Sequence, residues 1–249
     1  MTRRLAAVAL AWASGLAGLC APGAGAAAGA APILPPLTEG DQVVAAWRPL
    51  GLPNQTKPTT RFSAERVAGR AALRLDADRS NGNLVFDLAP GPLPQRLRWS
   101  WRLQVPNPAA DLRQRGGDDA AAKVCVAFDL PLDSLPFTDR QVLRLARANS
   151  NVALPAATVC YVWAGNETGG ALIANAFTRR VRYIVLRNAQ DGPGNWQDES
   201  RDLGADFLRA FGDEATRVPA LTAIAVAADG DNSGSNSLAY VDAPRLDAP

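Results

Sequence analysis

Leu97, Trp99, Trp101, Leu103 and Val105 are apolar at every second position, with Arg98, Ser100, Arg102 and Gln104 between them. Five apolar residues in strict alternation require an extended strand with one face in a core. Val124, Val126 and Phe128 repeat the pattern, leaving Lys123, Cys125 and Ala127 opposite. RWSWRLQV and RGGDDAAAKVCVAFDL therefore read as two strands joined by a polar, glycine-containing connection. Trp99 and Trp101 belong to the core on this reading, and Arg98, Arg102, Asp119 and Lys123 to the outer face.

Short strands with turn signals between them make up most of the remaining text. Ala71, Leu73 and Leu75 alternate, Asn81-Gly82 reads as a turn, and Leu84, Phe86 and Leu88 alternate again, as in a hairpin. Later strands are expected at TVCYVWA, at residues 180–188 and at the almost wholly apolar LTAIAVAA, which reads as central. DGPGNW reads as a turn. Two short helices interrupt the series. In the first, Thr138 and Gln141 have capping-box spacing, and Val142, Leu145 and Ala146 form the apolar stripe. The second, over residues 204–210, presents Phe207 and Phe211 and stops at Gly212. The fold class is all-β, a single antiparallel, jelly-roll-like β-sandwich with two inserted helices. It is expected to occupy residues 42–249 after a proline-rich lead-in at 31–41.

Residues 1–30 do not read as part of that fold. Arg3 and Arg4, an apolar run over 5–19 and a small-residue tract form the order of a secretory signal peptide. A periplasmic or secreted protein with no integral membrane segment follows. Without those residues the chain has 24 basic and 24 acidic side chains. A neutral chain offers no field for nucleic acid. The sequence contains no histidine, which excludes Ser-His-Asp and Cys-His catalysis and the histidine-containing zinc sites. Acid–base chemistry would then fall to carboxylates, lysine or tyrosine, and a metal would be a hard cation such as calcium. Cys125 and Cys160 are an even pair in an exported chain and predict a disulfide; the alternative is two buried thiols on separate strands.

Three clusters could carry chemistry. Asp118 and Asp119 precede Lys123 at the head of a strand, where they form either a charged ligand site or a turn with an ion pair. Asp229, Asp231 and Asn232 alternate in a glycine loop. Asp229 and Asp231 are the candidate calcium ligands, although no downstream glutamate completes a helix-loop-helix calcium loop. Trp163 stands beside the glycine-rich loop 165–170, a common sugar-binding arrangement and an equally common core position. Asn54 and Asn166 match glycosylation acceptors and are discounted.

LRWSWRLQV, GGDDAAAKVCVAFD, YVWAG, NWQDESRDLGADFLRAFGDE and AVAADGDNSGS, taken in order, resemble a family of bacterial exported proteins, domain-of-unknown-function family 3047. The resemblance covers roughly residues 42–246. The family pattern has arginine where Ser100 stands, an aromatic at Ala120, arginine at Lys123, and threonines at Gly230 and Ser233. Lysine replaces a planar fork with a point charge. The resemblance implies an exported β-sandwich and brings no activity. Residues and resemblance together lead to the expectation of a non-catalytic module of the cell envelope that binds a glycan or similar polar ligand without a required cofactor. The alternative is a carboxylate-dependent, calcium-assisted glycan hydrolase or lyase.

Overall fold

A computed structural model describes residues 32–52, 55–150 and 154–248. Residues 1–30, expected to be a signal peptide, and Asn54, which matches an acceptor pattern, lie outside the described residues.

In chain order the elements are β1 (Thr38–Glu39), β2 (Gln42–Val43), β3 (Arg48–Leu50), β4 (Arg61–Val67), β5 (Arg70–Asp78), β6 (Asn81–Asp87), β7 (Arg96–Val105), β8 (Ala122–Phe128), α1 (Phe137–Ala148), β9 (Ala157–Trp163), β10 (Leu172–Ala174), β11 (Val181–Arg187), β12 (Trp196–Asp202), α2 (Leu203–Phe211), β13 (Leu221–Asp229) and β14 (Asn236–Asp247). One sheet has seven strands in the order β10-β11-β9-β8-β13-β6-β3, and the other has five in the order β12-β7-β14-β5-β4. Strands β1 and β2 form a small separate hairpin. The all-β, sandwich-like class is as expected. It departs from a purely antiparallel arrangement at one pair, because β9 and β11 run parallel with β10 on the outer edge.

Few strands that are neighbours in the chain are neighbours in a sheet. β5 and β7 lie in the five-stranded sheet, while β6 and β8 lie in the seven-stranded one. The expected hairpin around Asn81-Gly82 is therefore a crossing between sheets. The chain turns at Arg79, whose φ is +47°, and Asn81 and Gly82 already pair with Asp229 and Ala228 in the ladder between β6 and β13. RWSWRLQV and AKVCVAF likewise face each other across the core. Alternation identifies which side chains point inward, but two facing strands and two paired strands give the same pattern.

The core is built on that opposition. Trp99 and Trp101 project from β7, and Tyr161 and Trp163 from β9. Their rings form a chain, Trp163–Trp101–Trp99–Tyr161, with centroids 5.5, 5.4 and 5.2 Å apart. Aromatic pairs in this range gain about 0.5–1.5 kcal/mol beyond their burial. Three of the four polar tips are served, and Trp99 Nε1 is buried without a partner among the described residues. Trp163 Nε1 donates to Asn188 O (2.9 Å), Trp101 Nε1 to Glu199 (3.1 Å), and the Tyr161 hydroxyl to Asp206 (2.9 Å). LTAIAVAA is β13, an interior strand between β8 and β6.

Asp202 caps α2 through Ala205 N, and the helix drops Phe207 onto Phe128, 4.7 Å away, with Phe211 stacked behind at 5.6 Å. Both phenylalanines are buried as expected. The first helix differs from expectation. Thr138 makes no capping bond, since the cap falls two residues earlier at Pro136 and Thr138 is already inside the helix, and the only buried residue of α1 is Leu143.

Strands β8 and β9 place Cys125 opposite Cys160, and the two are joined as a disulfide. Their sequence separation of 35 residues includes α1, so the bond restricts the unfolded chain across that insertion. Replacing both cysteines by alanine is expected to cost about 3–4 kcal/mol, read from urea unfolding. The native protein is expected to show no titratable thiol at either position after denaturation without reductant.

Candidate functional site

Two clusters of polar side chains stand apart from the core. They lie on the outer faces of different sheets.

The first is on the seven-stranded sheet. The long β7–β8 connection folds back over this face, and Leu112 and Ala120 pack there with Cys125, Cys160, Val162, Tyr183 and Val185. The connection presses closely on the end of β9. A Cβ on Gly165 would stand 2.5 Å from Ala110 O, so only glycine fits. The connection brings Asp118 and Asp119 down beside Lys123, and β13 delivers Asp229 at its end. Lys123 pairs with Asp229. Asp229 also accepts from Ala120 N (2.7 Å) and from Asn81 Nδ2 (3.3 Å). Asn81 reaches Asp231 at 3.4 Å. Asp119 accepts from Asn232 N (3.2 Å), Asn232 Nδ2 (3.3 Å) and Ser233 N (2.6 Å), which ties down the loop after β13. Asp118 accepts from Asn175, which also donates to the Tyr183 hydroxyl at 2.7 Å.

One ammonium thus serves three buried carboxylates, and Asp118, Asp119 and Asp229 are each no more than 4% exposed. Burial pushes the Asp229 carboxyl up to about 6 against the pull of Lys123. Burial also raises Asp118, opposed by Lys123, Tyr183 and Asn175. For Lys123 burial is the largest influence and acts downward, but Asp229, Asp118 and Asp119 together outweigh it and hold the ammonium above its ordinary range. Tyr183 is held well above the usual phenol range, first by burial and then by Asp118. The carboxylate oxygens of Asp119, Asp229 and Asp231 lie within 4.8 Å of one another. They form the oxygen set a hard cation would use, and Lys123 competes for it. A calcium shell needs about 6–8 oxygens.

Asp118, Asp119, Lys123, Asp229, Asp231 and Asn232 are therefore brought together. Arg98 and Arg102 are not with them. They lie on the outer face of the other sheet, because β7 and β8 are in opposite layers. Trp163 is fully buried in the aromatic chain, where it has no face for a ligand.

The second cluster surrounds Arg102. The registers place Trp196 opposite Arg102, Arg102 opposite Tyr240, and Tyr240 opposite Arg74. A row of ring, guanidinium, ring and guanidinium therefore crosses four strands on one face. Arg70 lies over the Trp196 ring at 5.1 Å, Arg102 reaches Gln104 at 3.4 Å, and Arg74 pairs with Glu65 at 3.0 Å. Ser100 and Asp198 form the next rung. Arg98 is engaged with Asp247 at 2.7 Å.

Sequence reasoning missed Trp196, Tyr240 and Arg74 as site residues, and Asn81, Asn175 and Tyr183 in the buried network. Strand β12 is not anticipated by the sequence reading, and only its first residue, Trp196, falls in the DGPGNW turn. Its inward residues include Glu199, bonded to Arg187 at 2.9 Å, and Arg201, bonded to Asp206 at 2.7 Å, so the text WQDESRD has no apolar period. Trp196 just after a glycine turn was the one available signal.

The two layers, the disulfide and the paired polar clusters define a disulfide-bonded, sandwich-like all-β protein. Among the described residues no helix is long and apolar enough to cross a membrane. The chain belongs to the family described as Protein of unknown function (DUF3047), which it matches over residues 45–245. A comparison with curated proteins finds no match.

Lys123→Met is expected to leave three carboxylates buried without their cation and to cost about 3–5 kcal/mol in denaturant unfolding. The pH dependence has a definite sign. Asp229 and Asp118 bind protons more tightly folded than unfolded, so their contribution is complete below the ordinary carboxylate value and is lost as pH rises through about 6 for Asp229. Asp76 and Asp213, held low by arginine partners, act in the opposite sense only at lower pH. Unfolding free energy is expected to rise as pH falls from neutral into the range above the ordinary carboxylate value. Asp229→Asn should flatten that rise. A wild-type profile that falls monotonically over this interval refutes the assignment.

Proposed function

We propose that this is a non-catalytic, extracytoplasmic module that binds a glycan or similarly polar ligand on the outer face of its five-stranded sheet. The observation that carries the reading is the row Trp196–Arg102–Tyr240–Arg74, set across strands by register. The half-buried Trp196 offers an aromatic face to the C–H surface of a sugar ring, while polar groups fix its orientation; Tyr240, 4% exposed, fills the row between Arg102 and Arg74 and offers no open ring. Guanidinium groups supply planar donor forks for hydroxyl or carboxylate oxygens. Asp198 and Gln104 add acceptors beside them, and Arg102 has no carboxylate partner among the described residues. The disulfide Cys125–Cys160 supports an oxidising compartment, periplasmic or secreted.

The carboxylates of the other cluster favour the non-catalytic reading over a hydrolase or lyase. They converge closely enough to flank a scissile bond, but they are buried, and both oxygens of Asp119 and Asp229 and one of Asp118 accept from protein donors. A substrate oxygen has no approach to Asp118, Asp119 or Asp229 without lifting the β7–β8 connection. Calcium, if bound at Asp119, Asp229 and Asp231, would steady that connection rather than act on a ligand.

In glycan-array or calorimetric binding, Trp196→Ala and Arg102→Ala are each expected to weaken a bound glycan by about tenfold or more, the loss of roughly 1.4 kcal/mol or more, with unfolding unchanged. Lys123→Met should leave affinity unaltered wherever the variant remains folded. Binding that is insensitive to both outer-face substitutions, or turnover of the glycan, would refute the proposal.

A further inference from the structure

Helix α1 turns outward the side chains that its periodicity assigns to the core. Phe137, Val142 and Leu145 are 70%, 68% and 66% exposed, while Leu143 holds the helix to the body. At 3.6 residues per turn Val142 and Leu145 share one side of the helix, Phe137 stands about 80° round from Leu145 next to Arg144, and Arg140, Arg144 and Arg147 form a stripe along that flank. Beneath the helix, towards the β10–β11 connection, lies a cavity of about 470 Å³. Val142, Leu143, Ala146, Leu154, Phe177 and Val181 supply its apolar lining. Phe177 is exposed on the far rim, with the Arg115 guanidinium 5.3 Å from its ring centre. Apolar surface therefore runs from Leu145 and Val142 across the cavity to Phe177, with the exposed Phe137 apart on the first turn of α1.

The charges around this surface are unequal. Arg140 is paired with Asp133, Arg179 with Asp213, and Arg180 with Asp139 and Glu214. Arg115, Arg144 and Arg147 have no carboxylate partner among the described residues; Arg115 and Arg147 reach only the carbonyls of Ala176 and Leu154. Contiguous exposed apolar surface of this kind marks a site of association. Bordered by unpaired arginines, it complements a surface that is apolar within and anionic at its rim.

We infer that α1 and the Phe177 rim dock on an anionic lipid bilayer. Phe137, Val142, Leu145 and Phe177 enter the interfacial zone, and Arg115, Arg144 and Arg147 meet lipid phosphates. Twelve residues make a helix of about 18 Å, which lies in the plane of the interface rather than across it. The attraction is local, because basic and acidic side chains are equal in number beyond residue 30. The inference does not rest on the outer-face ligand reading, since the row through Trp196 belongs to the other sheet.

The test is co-sedimentation of the protein, purified from the exported fraction, with phosphatidylglycerol-containing and phosphatidylcholine-only vesicles, with sedimentation velocity alongside. Wild-type protein is expected to bind the anionic vesicles, to release them at high salt, and to ignore the zwitterionic ones. Leu145→Asp should reduce binding to background, and Arg144→Glu should weaken it about fivefold or more, from roughly 1 kcal/mol per basic residue near the surface. Both positions are exposed, so melting temperature should not change. Trp196→Ala should bind vesicles like wild type. Four results overturn the inference: no binding to anionic vesicles, equal binding by Leu145→Asp, a dimer that Leu145→Asp makes monomeric without vesicle binding, or binding of free dodecanoate without vesicle binding.

Discussion

The contact on which the structure depends is the meeting of Trp99 and Trp101 with Tyr161 and Trp163. Each pair comes from one strand and projects at alternate positions, so neither can be buried by its own sheet. Burying them requires β7 and β9 to lie in different layers, and once they do, the connections must pass repeatedly from one layer to the other. The crossings β5–β6, β6–β7 and β7–β8 follow from this demand. The polar tips limit the geometry further, because Trp101 and Tyr161 each need a carboxylate inside. Glu199 and Asp206 supply these, and Arg187 and Arg201 neutralise them. Edge strand β12 therefore carries charges on its inner side. Inward charges on an edge also discourage pairing with a further strand.

The network around Lys123 is a second consequence of the same crossing. The β7–β8 connection has to travel from one sheet to the outer face of the other, and it carries backbone N–H groups into a buried setting. Asp229 accepts from Ala120 N, and Asp119 accepts from the amides of Asn232 and Ser233. These carboxylates satisfy donors that would otherwise each cost about 1–3 kcal/mol. Burial in this setting, with the neighbouring Asp119 charge added to it, accounts for the raised Asp118 and Asp229. A buried ion pair of this kind adds little net stability, but it fixes where the loops stand. Arginine in place of Lys123 would present a larger fork to the same carboxylates.

Much of this is legible in the sequence wherever a period exists. The strands with alternating Leu, Val and Trp, the interior LTAIAVAA, the phenylalanines of α2 and the cysteine pair all announce themselves. The convergence of Asp118 and Asp119 with Asp229, Asp231 and Asn232 was hidden. It depends on β8 and β13 being neighbours, and nothing local in either strand specifies its neighbour. Arg98 and Arg102 were grouped with Lys123 for the same reason, since alternation gives inward and outward but not which layer. Tyr240 and Trp196 become neighbours of Arg102 only through register. Strand β12 lacks any apolar period because its partners inside are charged.

The places where pattern and structure disagree are also the places where the molecule offers surface to something else. Strand β12 turns charge inward and leaves Trp196 on the outer face. Helix α1 turns Phe137, Val142 and Leu145 outward although each would stabilise a core. Leaving three large apolar side chains in water forgoes burial of roughly 1.5–3 kcal/mol apiece, in a protein whose other helix buries Phe207 and Phe211 completely. The contrast between the two helices is a difference in what faces them. The aromatic layer closes over α2, whereas α1 lies beside an open cavity and carries Arg144 and Arg147 without carboxylate partners among the described residues. A sequence selected only for folding would not hold both arrangements, because replacing Leu145 by a polar residue would remove the exposure at no cost to the core.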